Sequence, residues 1–214
     1  MSEKLKLDFI SDVVCPWCAI GYKRLEQAIK ELGVEDKVEI ELHPFELNPN
    51  MPAEGQNLRQ HLAEKYGTTL EDSIRARENL TQLGAEVGFT FDYYDDMKMY
   101  NTREAHLAIQ FAAKYGKQLE LKLALFDAFF GERKDVSDRE VLAQLLAKVG
   151  LPVDEGIAYL DDINAISQLQ NEESYWQGLG VRSVPTIVLN SREGLPGAQP
   201  VEVYKQVLEH YLSA

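Results

Sequence analysis

The chain has 214 residues, 45% hydrophobic and 27% charged, which suits one large globular domain or a domain carrying an insertion. Against 22 basic residues stand 35 acidic ones, and the net charge of -13 argues against nucleic acid and anionic membrane surfaces as partners. No apolar run approaches the ~20 residues of a membrane helix, and Met1–Asp8 lacks the apolar core of a secretion signal, so a cytoplasmic protein is expected.

Leu5–Ile10 reads as a strand, and Ala19–Lys30 as a helix whose apolar residues at 22, 25, 28, 29 and 32 follow a 3.6-residue period. Pro16 falls in the first turn of that helix, where its missing N–H costs nothing, and Gly33 suits its end. Lys37–Leu42 alternates apolar and charged residues as a half-buried strand does, and the proline-rich stretch Phe45–Pro52 ends it. Strand, helix, strand makes a βαβ unit.

Residues from about 56 to 178 read as all helical. Gln56–Tyr66 is stopped at Gly67, and Thr68-x-x-Glu71 has the capping-box pattern before a run to Gly88. Asn101 and Glu104 open a helix that ends near Gly116. Lys117–Phe130 is strongly apolar and is expected to be the central helix of this block. Ser137-x-x-Glu140 opens Val141–Val149, and Val153–Leu160 and Ile163–Gly178 follow. Between them the aromatic stretch Phe89–Tyr100 has no period; it suits either a loop over a cleft or a connection packed by its own rings. The last 35 residues return to β/α. Val184–Leu189 is a strand, Asn190–Gly194 a turn, Leu195–Ala198 a short second strand, and Val201–Leu212 a helix.

Cys15-Pro16-Trp17-Cys18 holds the only two cysteines. Cys15 falls at a helix N-terminus, where free N–H groups and the macrodipole favour an anion. A thiolate, not a thiol, attacks a disulfide, and such a position lowers a thiol's pKa. Cys18, one turn further in, is expected to be less exposed than a partly exposed Cys15. Zinc would need more ligands than this pair, and His43, His61, His106 and His210 have unrelated spacings, so no metal is expected. Inert cysteines are the remaining alternative to a redox-active dithiol.

A βαβ unit bearing C-x-x-C and a terminal ββα unit resemble the two halves of a thioredoxin fold, here with a helical block between them. The expected fold is therefore α/β, thioredoxin-like, with a large inserted all-helical subdomain: residues 1–52 and 179–214 form one domain and 53–178 the insertion. More closely, the chain resembles the DsbA-like thioredoxin superfamily and its FrnE-like branch of dithiol-disulfide oxidoreductases or isomerases. The resemblance rests on Asp12–Gly21, Asn101–His106, Leu125–Phe130 with Asp135–Asp138, Gly180–Thr186 and Gly197–Pro200. Ser183 departs from the glycine more usual before the Val-Pro pair, and the extra cysteine pair of some relatives is lacking.

The resemblance implies that Cys15 is the nucleophile and Cys18 the resolving thiol, with Pro16 and Trp17 in support. It implies a cis Val184–Pro185 bond facing the dithiol, with the Val184 backbone pairing to an extended substrate. Trp17 in place of the histidine of DsbA implies a less depressed Cys15 and a less oxidising couple. Asp8 and Asp12 are both candidates for a proton relay to Cys18. The expected partner is a thiol- or disulfide-containing protein or small molecule, with no resident cofactor and glutathione as a candidate co-substrate. Two other functions compete. Kappa-class transferases and 2-hydroxychromene-2-carboxylate isomerases hold glutathione at this helix but need no resolving thiol, so Cys18 speaks against them. A redox-sensing or chaperone-like binding module would need a docking surface on the helical block.

Overall fold

The computed structural model describes residues 4–213. Its main sheet has four strands in the order β2 (Val38–Pro44), β1 (Leu5–Ser11), β5 (Thr186–Leu189), β6 (Glu193–Pro196). β1 runs parallel to β2, with Leu7 opposite Ile40, and antiparallel to β5, with Phe9 opposite Ile187. The fold is thioredoxin-like, with a mainly helical stretch over residues 58–178 inserted between the two halves of the sheet.

Alternation along β1 separates two layers, because successive strand side chains point to opposite faces. Leu5, Leu7 and Phe9 pack with α1 (Pro16–Leu32) and with α9 (Val201–Ser213), through Tyr22, Leu25, Tyr204 and Leu208. Leu7 and Phe9 are fully buried, and each side chain contributes roughly 1.5–3 kcal/mol. Ile10, on the opposite face, packs with Trp176 of α8 (Ile163–Gly178) and with Val181.

The remaining helices are α2 (Leu58–Tyr66), α3 (Leu70–Glu86), α4 (Arg103–Ala113), α5 (Gln118–Phe126), α6 (Arg139–Lys148) and α7 (Val153–Tyr159). They share one apolar core with Val13, Val14, Cys15, Cys18, Ala19 and Ile20, so the helical block closes directly on the start of α1. Among the described residues no helix is long and apolar enough to cross a membrane.

The structure corrects the all-helical reading of the middle block. Gln56–Asn57 and Lys98–Met99 form a separate two-stranded ribbon, β3 and β4, outside the main sheet. The first helix of the block accordingly starts at Leu58, with Asn57 Oδ1 accepting from the N–H groups of Arg59 and Gln60 at 3.0 and 3.2 Å. Two caps lie one residue later than expected. Thr69, not Thr68, caps α3, its Oγ1 accepting from Asp72 N at 3.1 Å. Asp138, not Ser137, caps α6, because the Ser137 hydroxyl is spent on Asp135. The apolar run to Phe130 leaves the α-helix at Phe126 and continues as a π turn, Asp127–Gly131, that buries Phe129 and Phe130. At the C-terminus the strands are Thr186–Leu189 and Glu193–Pro196, shifted because Asn190 and Ser191 take positive φ and close the hairpin early.

The segment 89–97 packs by its own rings. Phe91 meets Phe89 and Phe130 edge-on, both at 4.9 Å, and Phe91 and Tyr93 lie parallel at 5.7 Å. Gly84 makes room for it, since a Cβ there would stand 2.5 Å from Phe91.

Helix α8 is fastened to the sheet by charge. His43 on β2 lies between Asp8 of β1, at 2.8 Å, and Glu172 of α8, at 2.6 Å; Glu41 stands 3.9 Å away, and Lys6 reaches Asp8 at 3.2 Å. Burial opposes the imidazolium, but the bonds to Glu172 and Asp8 outweigh it and raise the His43 pKa. Beside it, Glu173 accepts from Glu46 N at 3.0 Å, and burial together with the Glu46 charge pushes its carboxyl up to about 7. A raised histidine contributes stability below its unfolded pKa and loses it as pH climbs through the folded value. A raised carboxyl costs stability as pH climbs from its ordinary 4.5 through about 7. Both effects run the same way, so stability is expected to fall between pH 6 and pH 8. Glu173→Gln keeps an acceptor for Glu46 N and removes the second effect. It should flatten the fall by about 1 kcal/mol after allowance for solvent screening. Urea unfolding at pH 6, 7 and 8 reads this out, and an equal slope in parent and variant would contradict it.

Candidate active site

Beyond β1 the chain turns through Asp12–Val14 and enters α1. Cys15 takes extended backbone angles, φ -93 and ψ 113, at the N-cap position and makes no side-chain cap. Its carbonyl accepts the first turn's N–H groups from Cys18 and Ala19, and Pro16 opens the helix as expected. Gly33 closes it with φ 62. Both thiols are free.

Cys15 Sγ lies 3.7 Å from the Val184 carbonyl oxygen, to which the thiol donates, and the Val184–Pro185 bond is cis, as the resemblance implies. The structure thus brings together Cys15, Cys18, Pro16, Trp17, Val184, Pro185 and Asp12. The approach of α1 to the proline loop depends on Gly21. A Cβ there would meet Pro185 Cγ at 3.1 Å and Ala198 Cβ at 3.3 Å, so only glycine fits without displacement. Gly197 N donates to Pro185 O at 2.7 Å, tying the start of the last unit to the same loop.

Cys15 is not partly exposed, which corrects the expectation. It is 5% exposed, against 0% for Cys18, because the helical block packs over both thiols as one core with them. Trp17 is the exposed member of the motif, at 40%.

Asp8 and Asp12 part company. Asp8 is engaged with Lys6 and His43 at the α8 fastening. Its carboxylate, Glu41 and His43 place ligand atoms within 4.8 Å of one another, but Lys6 Nζ lies 2.7 Å from Glu41 and already supplies the cation there. Asp12 is fully buried beneath the dithiol. Its Oδ1 accepts from Val13 N at 2.8 Å and bonds His106 Nε2 at 3.1 Å, and its Oδ2 accepts from Leu47 N at 2.8 Å. Burial would raise its pKa, but the bond from His106, that residue's charge and the Leu47 N–H hold it below the usual carboxylate range.

Two residues missed by sequence reasoning complete the site. His106, 3% exposed, orients Asp12 from α4. Lys122, 2% exposed on α5, donates to the Ser11 carbonyl at 3.4 Å. Burial pushes its ammonium down to about 8, opposed by the nearby Cys18, Asp12 and Cys15 charges. Burial, a hydrogen bond with Cys15 and the Cys15 charge raise Cys18 well above the ordinary thiol range, while the Asp12 backbone and Lys122 pull it back. A lysine inside the apolar run Leu119–Leu125 was the available signal for Lys122; His106 amid Ala105, Leu107 and Ala108 was the signal for the other. Both also line a cavity of about 250 Å³ between β2 and helices α4, α5 and α8.

Comparison with known proteins gives one consistent result. The model of the DSBA-like thioredoxin domain matches residues 6–209. The uncharacterized protein YwbO of Bacillus subtilis is 27% identical over 205 residues, covering 92% of each chain. The structure of the probable DsbA oxidoreductase SCO1869 from Streptomyces coelicolor superposes with a TM-score of 0.92 at 29% identity, covering 98% of this chain and 90% of that one. The cytosolic disulfide reductase DsbM of Pseudomonas aeruginosa, solved with GSH, shares the fold, with a TM-score of 0.68 at 20% identity, 98% of this chain and all of the other (100%) being covered.

Gly21→Val should crowd Pro185 and Ala198, cost about 2 kcal/mol of stability and slow any reaction at Cys15. Chemical denaturation and the rate of Cys15 alkylation test this; an unchanged variant would show that the contact does not hold the loop.

Proposed function

From its membership of the DSBA-like thioredoxin domain family, which the match over residues 6–209 shows, we propose that this chain is a thiol–disulfide oxidoreductase working through Cys15 and Cys18. The observation that carries the reading is the free Cys15 thiol at the N-terminus of α1, against the Val184 carbonyl, with a second thiol buried one turn behind it.

The Cys15 thiolate attacks one sulfur of a substrate disulfide. The new Cys15–substrate bond forms as the old S–S bond breaks, and one thiolate leaves. Cys18 then gives up its proton and attacks Cys15. The second substrate thiol leaves, and a Cys15–Cys18 disulfide remains, the substrate having gained two electrons. The reverse sequence oxidises a dithiol. The second step needs a proton acceptor next to a fully buried thiol. Asp12 is a poor one, since both its oxygens are engaged and its pKa is lowered. Lys122 suits the task better: its pKa of about 8 leaves a usable fraction as the amine, and its ammonium steadies the thiolate. The cavity it shares with His106 supplies a route for that proton to solvent.

Substrates are protein or low-molecular-mass disulfides, glutathione is a co-substrate, and the compartment is the cytoplasm. Within the family the proposed place of the chain is the FrnE-like branch of oxidoreductases and isomerases. The 2-hydroxychromene-2-carboxylate isomerase structure shares the fold at 16% identity, but Cys18 has no task in such a reaction.

Incubated with oxidised glutathione or a disulfide peptide, Cys18→Ser should accumulate a mixed disulfide on Cys15, and Cys15→Ser none, by mass spectrometry. Adducts on Cys15→Ser but not on Cys18→Ser would reverse the roles. A Cys18→Ser variant that conjugates glutathione as well as the parent would favour a transferase. Lys122→Met should leave the first attack unchanged and slow resolution by at least about tenfold. Stopped-flow quantification of the mixed disulfide across pH 6–9 separates the two steps; equal slowing of both would refute the proton-handling role.

A further inference from the structure

The segment 45–52, which joins β2 to β3, brings a backbone donor to the site: Leu47 N meets Asp12 Oδ2 at 2.8 Å. A backbone N–H has no rotamer of its own to adjust, so its aim depends on how the segment is held. Helices α2, α8 and α4 hold it. From α2, Lys65 Nζ donates to the Leu47 carbonyl at 3.0 Å and to Asn48 Oδ1 at 2.8 Å. From α8, Glu173 Oε1 accepts from Glu46 N at 3.0 Å. From α4, Arg103 Nε donates to Glu46 Oε1 at 3.1 Å, and just ahead of that helix Asn101 Nδ2 donates to the Pro49 carbonyl at 3.3 Å.

The Arg103 contact differs from the others. The Glu46 side chain is 3% exposed, and its Oε2 is buried with no hydrogen-bond partner among the described residues, so its charge depends on Arg103. A carboxylate that deep is costly to leave unpaired, which holds the pair in one geometry. Arg103 and His106 stand three residues apart, neighbours on one face of α4. His106 Nε2 bonds the other oxygen of Asp12, at 3.1 Å. The contacts close into a ring: Asp12 to His106, one turn of α4 to Arg103, across to Glu46, along the chain to Leu47, and back to Asp12. One ion pair thus sets the spacing of the two groups that grip the Asp12 carboxylate. Asp12 passes the constraint on. Its carbonyl accepts from Cys15 N at 3.3 Å and its Oδ1 from Val13 N at 2.8 Å, in the turn that delivers Cys15 to α1.

We propose that Glu46 and Arg103 are positioning residues for the dithiol, acting through Leu47, His106 and Asp12 on the turn that carries Cys15. The ring rests on geometry; its effect on rate rests on the thiol–disulfide reading. A fixed turn keeps Cys18 aligned with the mixed disulfide on Cys15, and a loose one makes that alignment rarer.

Arg103→Met breaks the pair but strands a buried charge. Glu46→Leu/Arg103→Met is therefore made beside it, an apolar pair replacing the ionic one so that the fold keeps its stability. In both, exchange of the Leu47 N–H, followed by NMR with the amides of β1 as internal reference, should speed up at least about tenfold. Attack of Cys18 on glutathionylated Cys15, followed by stopped flow, should slow about tenfold, and by the same factor from pH 6 to pH 9. Arg103→Lys keeps the charge and should recover part of both effects. A slowing that fades toward pH 9 marks a lost proton acceptor, not lost alignment, and overturns the proposal. So does unchanged resolution or unchanged Leu47 protection in the double variant, since the pair would then be a stabilising contact and nothing more. If the parent itself forms no mixed disulfide, the redox reading fails, while Leu47 exchange still decides whether the ion pair holds the segment on Asp12.

Discussion

Burial of β1 on both faces is the constraint from which the rest follows. A strand covered on two sides needs two different layers, and its alternation allots them: Leu5, Leu7 and Phe9 to α1 and α9, Ile10 to α8. The chain must then leave the strand at Ser11 with both layers converging on it. That exit is where Cys15 stands, so the thiols lie at the junction of sheet, α1 and helical block rather than on an open surface.

Such a junction is dry, and charge brought into it must be matched. Asp12 is matched by His106 and two backbone N–H groups, and Lys122 by the Ser11 carbonyl and the field of the thiols. The effect on the two cysteines is unequal. Cys18 shares the low-dielectric interior with these groups, while Cys15 faces the Val184 carbonyl at the rim. The helical block is thus part of the candidate site, since α4 and α5 bring His106 and Lys122 to the two thiols at the start of α1.

What was legible in the sequence was local or periodic. The short strand at Leu5, the 3.6-residue helix after Cys15, Pro16 at its first turn and Gly33 at its end all express short-range geometry, and all stand in the structure. The family resemblance supplied the pairing of the Val184–Pro185 segment with the dithiol, and the Cys15–Val184 contact joins residues 169 positions apart. Caps slipped by one residue where two candidates adjoin: of Thr68 and Thr69 the second meets the Asp72 N–H, and of Ser137 and Asp138 the first is already bonded to Asp135. The β3–β4 ribbon was invisible because two-residue strands have no period. Burial of Cys15 and the meeting of Asp12, His106 and Lys122 are products of tertiary packing, and no spacing encodes them.

The free edge of the sheet carries a consequence for self-association. β6 is four residues long, starts at the charged Glu193 and ends at Pro196, which has no N–H to offer. At the other edge, β2 presents Glu39 and Glu41. A strand from a second copy finds a short, donor-poor ladder on one side and like charges on the other. The sheet is therefore protected against edge-to-edge growth, even though its central strand is buried along almost its whole length.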